Sequence, residues 1–445
     1  MLIGNANCVP VLKPSSSFSG SGWIIDADPY QPGGAQGWGS TNIFWRQIRN
    51  FVIDYSNLPE TMDIAGIHWP TGQATSIQFV TFNMKAGANT NHVGIFIENG
   101  SGGFIGDLIF NGGKWGLNVG NQQFTMRNLT FNNVRTAIQQ IWDWGFTYQG
   151  LSINNCGIGI LMTNRDPNTN LQSVGSMSII DSSITNTGVG FSLTWGNTPN
   201  NASYVPGTSV IIENVALSNV PIAIKDQTGT VLQGSNSNMK ITAWGQGHTY
   251  TPTGPNILRG SFPPSVRLPS MLKGSVYYTR AKPQYQDIAA TNILSTRTLG
   301  AKGDGTTDDT VALQNAVNAA KNSGKLLFFD AGTYKVTSTI YIPSGVKITG
   351  EAYSVIMSAG SFFNDIKNPQ PVVKVGNSGE PGAVEWSDMI VSTQGAQAGA
   401  VLIEWNLISS AASPSGMWDV HTRIGGFAGS NLQVRYLVLS VNVMC

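Results

Sequence analysis

Met126-Arg127-Asn128-Leu129-Thr130-Phe131 and, one stretch later, Gly157-Ile158-Gly159-Ile160-Leu161-Met162 alternate apolar residues with polar or small ones. A period of two marks strands rather than helices. Phe131 is followed by Asn132, and the same couple of an inward apolar residue and a polar one recurs. It stands at Ile53-Asp54, Phe82-Asn83, Phe110-Asn111, Ile153-Asn154, Ile184-Thr185 and Leu217-Ser218. Along the chain the apolar members are 29, 28, 21, 22, 31 and 33 residues apart. A second mark, a small residue flanked by aliphatics, falls at Gly66, Gly94, Gly116, Ala137, Gly159, Gly190 and Ala223. In the last five copies it trails the first mark by six residues.

Two marks moving together at a step of 21 or 22, lengthened here and there by insertions, indicate a solenoid. Short strands and tight turns at that step fit a parallel β-helix better than a leucine-rich repeat. A β-sandwich with irregular strands has no reason to keep the six-residue offset. Asn and Asp after the inward residue suit the turn, because they tolerate left-handed backbone and can stack as amide ladders.

The register breaks near residue 230. Residues 249–270, rich in Pro, Gly and Thr, read as an excursion or linker. A new unit opens with Gly300-Ala301-Lys302-Gly303-Asp304-Gly305-Thr306-Thr307-Asp308-Asp309-Thr310. The apolar pattern at Val311, Ala312, Leu313, Ala316, Val317 and Ala320 predicts a helix over about 308–322, with Thr307 or Asp308 as N-cap and Gly324 at its end. Strands follow around Leu326-Leu327-Phe328-Phe329 and Ile340-Tyr341-Ile342. A helix across the first coil covers the apolar end that a solenoid leaves open.

Charged residues make up 11% of the chain, against about 25% in an average soluble domain, which favours neutral, hydroxyl-rich partners. A net charge of +1 without a Lys/Arg cluster argues against nucleic acid. No run of 18 apolar residues suggests a membrane span. Cys8, Cys156 and Cys445 are too few and too far apart for a disulfide framework. Residues 1–12 read as a strand, a turn and a strand, not as a secretory leader. Sequons at Asn99, Asn128 and Asn201 support secretion only weakly. The histidines His68, His92, His248 and His421 are scattered without ligand spacing, and no cofactor, metal or Ca²⁺ loop is expected.

The run Gly-Ala-Lys-Gly-Asp-Gly from Gly300, with Thr307-Asp308-Asp309-Thr310 and Gly332-Thr333-Tyr334, looks like the start of a pectate-lyase-superfamily domain. The wider chain, from about residue 1 to 433, is similar to the fungal exo-β-1,3-glucanases of glycoside hydrolase family fifty-five. Residues 120–133, Ile141-Trp142-Asp143-Trp144-Gly145 and the Arg280-to-Tyr285 segment carry that likeness. The resemblance implies an all-β chain of two tandem right-handed parallel β-helices with a cleft between them. The expected divisions are a first β-helix at 1–248 without its N-terminal cap, a linker at 249–295, the start of a second β-helix at 296–433, and an aberrant tail at 434–445. It also implies an extracellular, monomeric, exo-acting and inverting enzyme on β-1,3-glucan. Its general-acid Glu is expected in later coils of the second β-helix, so this chain, apparently truncated at both ends, is expected to be inactive. A non-catalytic carbohydrate-binding β-helix and a pectin-degrading lyase or hydrolase are the alternatives.

Glycoside hydrolysis needs a carboxylic acid for the leaving oxygen and a group that steers the nucleophile. Glu351, Glu380, Glu385 and Glu404 read as turn or rim residues, although Trp386 and Trp405 stand beside two of them. The family resemblance implies an amide side chain holding the attacking water. Gln123 and Thr147, about one coil plus two residues apart, are the candidates, with Gln122, Gln139 and Gln140 as competitors; a plain polar ladder is the other reading. Asp143 can be a base, a subsite hydrogen-bond partner or a plain turn residue. Trp142, Trp144, Phe146 and Tyr148 alternate with Asp143, Gly145 and Thr147, which places four rings on one strand face for sugar stacking or core packing. Trp142, Trp144, Tyr148 and Gln122 are therefore the substrate-binding candidates, and Trp195 is a possible extension of the platform.

Overall fold

The computed structural model describes residues 1–19, 22–162, 173–195, 209–409 and 414–432; the expected tail and the Asn201 sequon lie outside them. Two compact units are present: Met1–Leu268 with Gly274–Tyr277, and Pro269–Lys273 with Tyr278–Cys445. Apart from the helix Thr310–Ser323 and short 3-10 turns, the regular elements among the described residues are strands.

In the first unit the strands pair in parallel with partners one coil away. One row runs through Leu12, Ile53, Phe82, Phe110, Phe131, Ile153, Ile184 and Leu217, each the register partner of the next. Its central rings stack face to face, Phe82 on Phe110 at 4.9 Å and Phe110 on Phe131 at 4.8 Å between centroids. A second row runs through Ile25, Ile67, Ile95, Leu117, Ile138, Ile160, Phe191 and Ile224. These two rows form the buried spine, and its period is the one the paired marks predict. The small residue of each second mark lets neighbouring backbone and core rings close in. A Cβ on Gly116 would meet the Phe131 ring at 2.5 Å and the Ala137 carbonyl oxygen at 2.8 Å.

The amide ladder is present. Asn111 Nδ2 donates to Asn83 Oδ1, Asn132 to Asn111 and Asn154 to Asn132, at 3.0, 3.0 and 3.1 Å. These residues are still strand; the left-handed backbone comes one position later. Asn133, Asn155, Asn186 and Asn219 have φ between 50° and 59°. They bond in two pairs, Asn155 Nδ2 to Asn133 Oδ1 at 2.6 Å and Asn219 Nδ2 to Asn186 Oδ1 at 2.9 Å.

The parallel series ends where Ser209–Asp226 pairs antiparallel with Gly229–Thr251, which in turn pairs with Gly254–Ser261. Residues 249–261 are thus strand in the first unit's sheet and not connecting chain. Ion pairs fasten this closing segment: Arg267 reaches Asp181 at 2.6 Å and Glu213 at 2.8 Å, and Arg259 pairs with Asp226.

In the second unit the helix buries Leu313, Ala316, Val317 and Ala320, and Gly324 ends it in the left-handed region at φ 67°. The helix starts at Thr310, two residues later than predicted, and Asp308 Oδ1 accepts the Thr310 N–H at 3.0 Å. Asp309 turns back instead, its carboxylate accepting the backbone N–H groups of Lys302 and Gly303 at 2.7 and 2.9 Å. Gly303 lies over Tyr334, where a Cβ would meet the ring at 3.0 Å. That contact joins the Gly-Asp-Gly run to the later Gly-Thr-Tyr. Parallel rows follow, Leu326 to Lys347 to Glu385 to Gly416 and Ile340 to Val373 to Ile403, around buried Trp386, Phe363 and Tyr334. Stacked parallel coils with one covering helix agree with a pectate-lyase-like β-helix.

Candidate functional site

The residues singled out in the first unit lie on two adjacent strands, Trp115–Asn132 and Thr136–Asn154. Gly145 is the register partner of Gln123 and Thr147 that of Thr125, so Gln123 and Thr147 stand on neighbouring coils, two positions apart. Inward Phe124, Met126, Phe146 and Tyr148 are buried, while Gln123 is exposed and Gln122 and Thr147 half-buried. A glycine turn packs beside Gln123, where a Cβ on Gly102 would meet it at 3.4 Å. Gly100, Gly102 and Gly103 all have positive φ, and Asn121 clamps the turn, its Oδ1 accepting Gly102 N–H at 2.8 Å and its Nδ2 donating to Asn99 O at 3.0 Å.

The four rings do not share a face. The ladder shifts register between Gln140 and Trp142, and burial changes parity from Asp143 to Phe146 as the strand rounds a corner. Tyr148 is wholly buried, and its hydroxyl donates to Gln140 Oε1 at 2.5 Å. Phe146 is core as well. Tyr148 therefore offers no surface to a ligand. Trp144 is 69% exposed. Trp142 lies against Gly120, where a Cβ would stand 2.2 Å from the ring, and its Nε1 donates to Glu98 O at 2.7 Å. Trp195 carries the Arg259 guanidinium over its ring at 5.0 Å.

Asp143 is also buried, at 2% exposure. Its Oδ1 accepts Ser176 N–H at 2.7 Å, while Oδ2 is buried without a hydrogen-bond partner. Burial pushes its carboxyl up to about 7, against the hydrogen bond from Ser176. A group so enclosed is a corner residue, and it is not displayed as a water-holding base.

Sequence reasoning passed over a denser polar cluster. His68 is fully buried, its Nδ1 2.7 Å from Asp26 Oδ1 and its Nε2 2.9 Å from Glu98 Oε2. Tyr30 and Gln36 also donate to Glu98 Oε1, at 2.7 and 2.9 Å. Burial disfavours the imidazolium, but the bonds and charges of Glu98 and Asp26 outweigh it and raise His68. Burial likewise disfavours the Glu98 carboxylate, yet His68, Tyr30 and Gln36 hold it below its ordinary value. Trp23 stacks on His68 at 4.4 Å and on Phe96 at 5.5 Å. The usable signal was the coil register, which pairs Asp26 with His68.

In the second unit the carboxylates of Glu385, Glu380 and Glu404 each have a structural partner. Glu385 receives Arg280 and the Tyr285 hydroxyl, Glu380 closes a turn through Asn377 N–H and Tyr341, and Glu404 accepts from Asn406. Glu351 lies at a strand turn where its own N–H donates to Ser354. Among the described residues no group of three His, Cys, Asp or Glu side chains is arranged to hold a metal, and no helix is long and apolar enough to cross a membrane.

Comparison with known proteins gives this geometry a family. The chain is 46% identical over 97% of its length to a glucan 1,3-beta-glucosidase of Cochliobolus carbonum, covering 54% of that protein. It is 36% identical, again over 97% of its length, to a probable glucan endo-1,3-beta-glucosidase of Arthroderma benhamiae, covering 59%. A non-secreted LysM effector of Penicillium expansum is also 36% identical, with 34% of its length covered. The chain thus spans about half the length of the first two of these relatives. The family model described as rhamnogalacturonase A/epimerase, pectate lyase-like, matches residues 1–161 and 293–407, well over half of the chain, and the protein belongs to that family.

Proposed function

We propose that this chain belongs to a glycosidase that acts on β-1,3-glucan, and that the corner at Gln123, Trp142, Trp144 and Thr147 is where its first unit meets the sugar. The observation that carries the reading is Trp144, an indole 69% exposed on the strand directly beside Asn121–Gln123, with Trp142 fixed behind it by Glu98. A pyranose ring stacks its C–H face on an indole, and uncharged amides and hydroxyls take its hydroxyl groups. The relatives named as 1,3-beta-glucosidases support the choice of polymer.

In the finer reading the enzyme is extracellular and monomeric, its two units are tandem right-handed β-helices, and it removes sugar from chain ends with inversion. The Gln123 amide and the Thr147 hydroxyl hold the attacking water, while a carboxylic acid protonates the leaving oxygen from the opposite face. Glu380, Glu385 and Glu404 are not offered as that acid, because the partners described above account for their positions.

The test is incubation with laminarin, curdlan and polygalacturonate, scored for binding, reducing sugar and unsaturated product. Binding to the two β-1,3-glucans is expected. Binding without reducing sugar selects a carbohydrate-binding role for the chain. Unsaturated product from polygalacturonate, or no affinity for either glucan, overturns the proposal.

A further inference from the structure

Away from the corner, the outer face of the first unit carries a groove of about 340 Å³ that the site above does not use. Its geometry follows from one register row. Trp23, Ala65, Val93 and Trp115 are successive partners on four neighbouring strands, so two indoles flank two small floor positions. Three strand steps put the two Trp backbones about 14 Å apart. Phe96 lines the groove, and Trp23 is braced on Phe96 and on the buried His68. Asn118 also lines the groove, and its Oδ1 is buried without a hydrogen-bond partner. A buried amide oxygen without a donor is costly unless something supplies one. The charges at the rim are one of each sign, Lys114 and Asp63, and Lys114 Nζ lies over the Trp115 ring at 4.1 Å.

We infer that this groove is a second sugar subsite, which takes one neutral pyranose unit packed against Trp115, with the Asn118 side chain turning its amide oxygen outward to accept a hydroxyl. The chemistry is selective in kind. Aromatic walls favour a C–H face, the unpaired amide oxygen of Asn118 favours an O–H donor, and balanced rim charge gives a polyuronate or phosphate no net attraction. Its volume is within the range of ordinary ligand pockets. Only the choice of β-1,3-glucan as the ligand rests on the proposed function; the groove itself rests on its own residues.

Calorimetric titration of the whole chain with laminarihexaose, and separately with cellohexaose, maltohexaose and xylohexaose, tests this. Trp115→Ala should weaken binding at the groove roughly fivefold, as expected for one lost aromatic platform. Asn118→Leu keeps the side-chain size and removes the acceptor, so it should weaken the same event even if Trp115→Ala folds poorly. Trp144→Ala should leave the groove event in place. Binding to another neutral hexasaccharide that needs Trp115 and Asn118, with none to laminarihexaose, keeps the groove and removes β-1,3-glucan as its ligand. Titrations in which Asn118→Leu, melting like the parent, binds every sugar as the parent does overturn the inference. So does the absence of binding to all four.

Discussion

His68 Nδ1 lies 2.7 Å from Asp26 Oδ1, and the two residues are register partners one coil apart. With Glu98 on the other ring nitrogen, the imidazole is clamped between carboxylates of two coils, and the segment bearing Tyr30 and Gln36 is held down on it.

That clamp sets a pH window. A histidine raised in the folded state stabilises fully below its unfolded value, about 6.5, and the contribution is lost as pH rises through the folded value. Glu98, lowered in the folded state, contributes above its unfolded value of about 4.3 and is lost as pH falls through its folded value. The melting temperature of the first unit should therefore be highest between those limits and decline toward alkaline pH. His68→Gln should flatten the alkaline decline; equal slopes in parent and variant would mean that His68 is not charged in the clamp.

Asp143 acts in the opposite sense from an ion-paired carboxylate. Its folded value of about 7 stands above the unfolded one, so stability is fully present below about pH 4 and is lost as pH rises through 7. Asp143→Asn cannot ionise. Relative to the parent it should gain stability between pH 5 and 8, with about 4 kcal/mol as the upper bound, less the cost of an amide N–H with no acceptor at the Oδ2 position. Urea denaturation at pH 4.5 and 8 reads the difference, and a variant equally offset at both values would contradict it.

The two corner indoles should separate by their surroundings. Trp144→Ala should weaken laminarin binding by roughly 1 kcal/mol and leave the melting temperature unchanged, since the ring touches mainly solvent. Trp142→Ala removes a ring packed on Gly120 and a hydrogen bond to Glu98 O, so it should lower the melting temperature as well. Titration and thermal melts of both variants check this; a Trp144→Ala protein with parent affinity would take the sugar away from this corner.

Lys282 in the second unit is 3% exposed, bonded to Asp388 and, at 2.7 Å, to Asp419 Oδ2. Lys282→Met leaves two carboxylates in a buried position without their shared cation. Loss of about 3–5 kcal/mol is expected from the second unit's unfolding free energy. Denaturation followed by a probe in that unit, such as the wholly buried Trp386, measures it.

The coil spine was legible because a stacked fold must repeat its inward residues, and Phe82, Phe110 and Phe131 do so at each step. The covering helix was legible through its own 3.6-residue pattern, and its start was off by the two turn-forming residues Asp308 and Asp309. The corner was not legible. Trp142, Trp144, Phe146 and Tyr148 keep a period of two in sequence, yet the chain bends between Asp143 and Phe146 and exchanges inside for outside. Nor was the His68 cluster, whose members Asp26 and Glu98 are 42 and 30 residues away and meet only through the register. The antiparallel closure at 229–261 escaped for a related reason. It abandons the repeat, and its Gly and Thr residues suit a linker as well as an edge strand.

The Asn83–Asn111–Asn132–Asn154 ladder keeps its rungs in line while the coils between them differ in length. Each amide gives one N–H to the rung before it and offers its oxygen to the rung after it, so the column is a polarised zipper that locks registry at one point per coil. Extra residues then have to emerge elsewhere on the circumference, as the segment from Lys85 to Asn91 does between the first two rungs. The fold is in that sense a spine with interchangeable outgrowths. Loops that recognise a ligand can be lengthened, shortened or exchanged without resetting the coils that carry them.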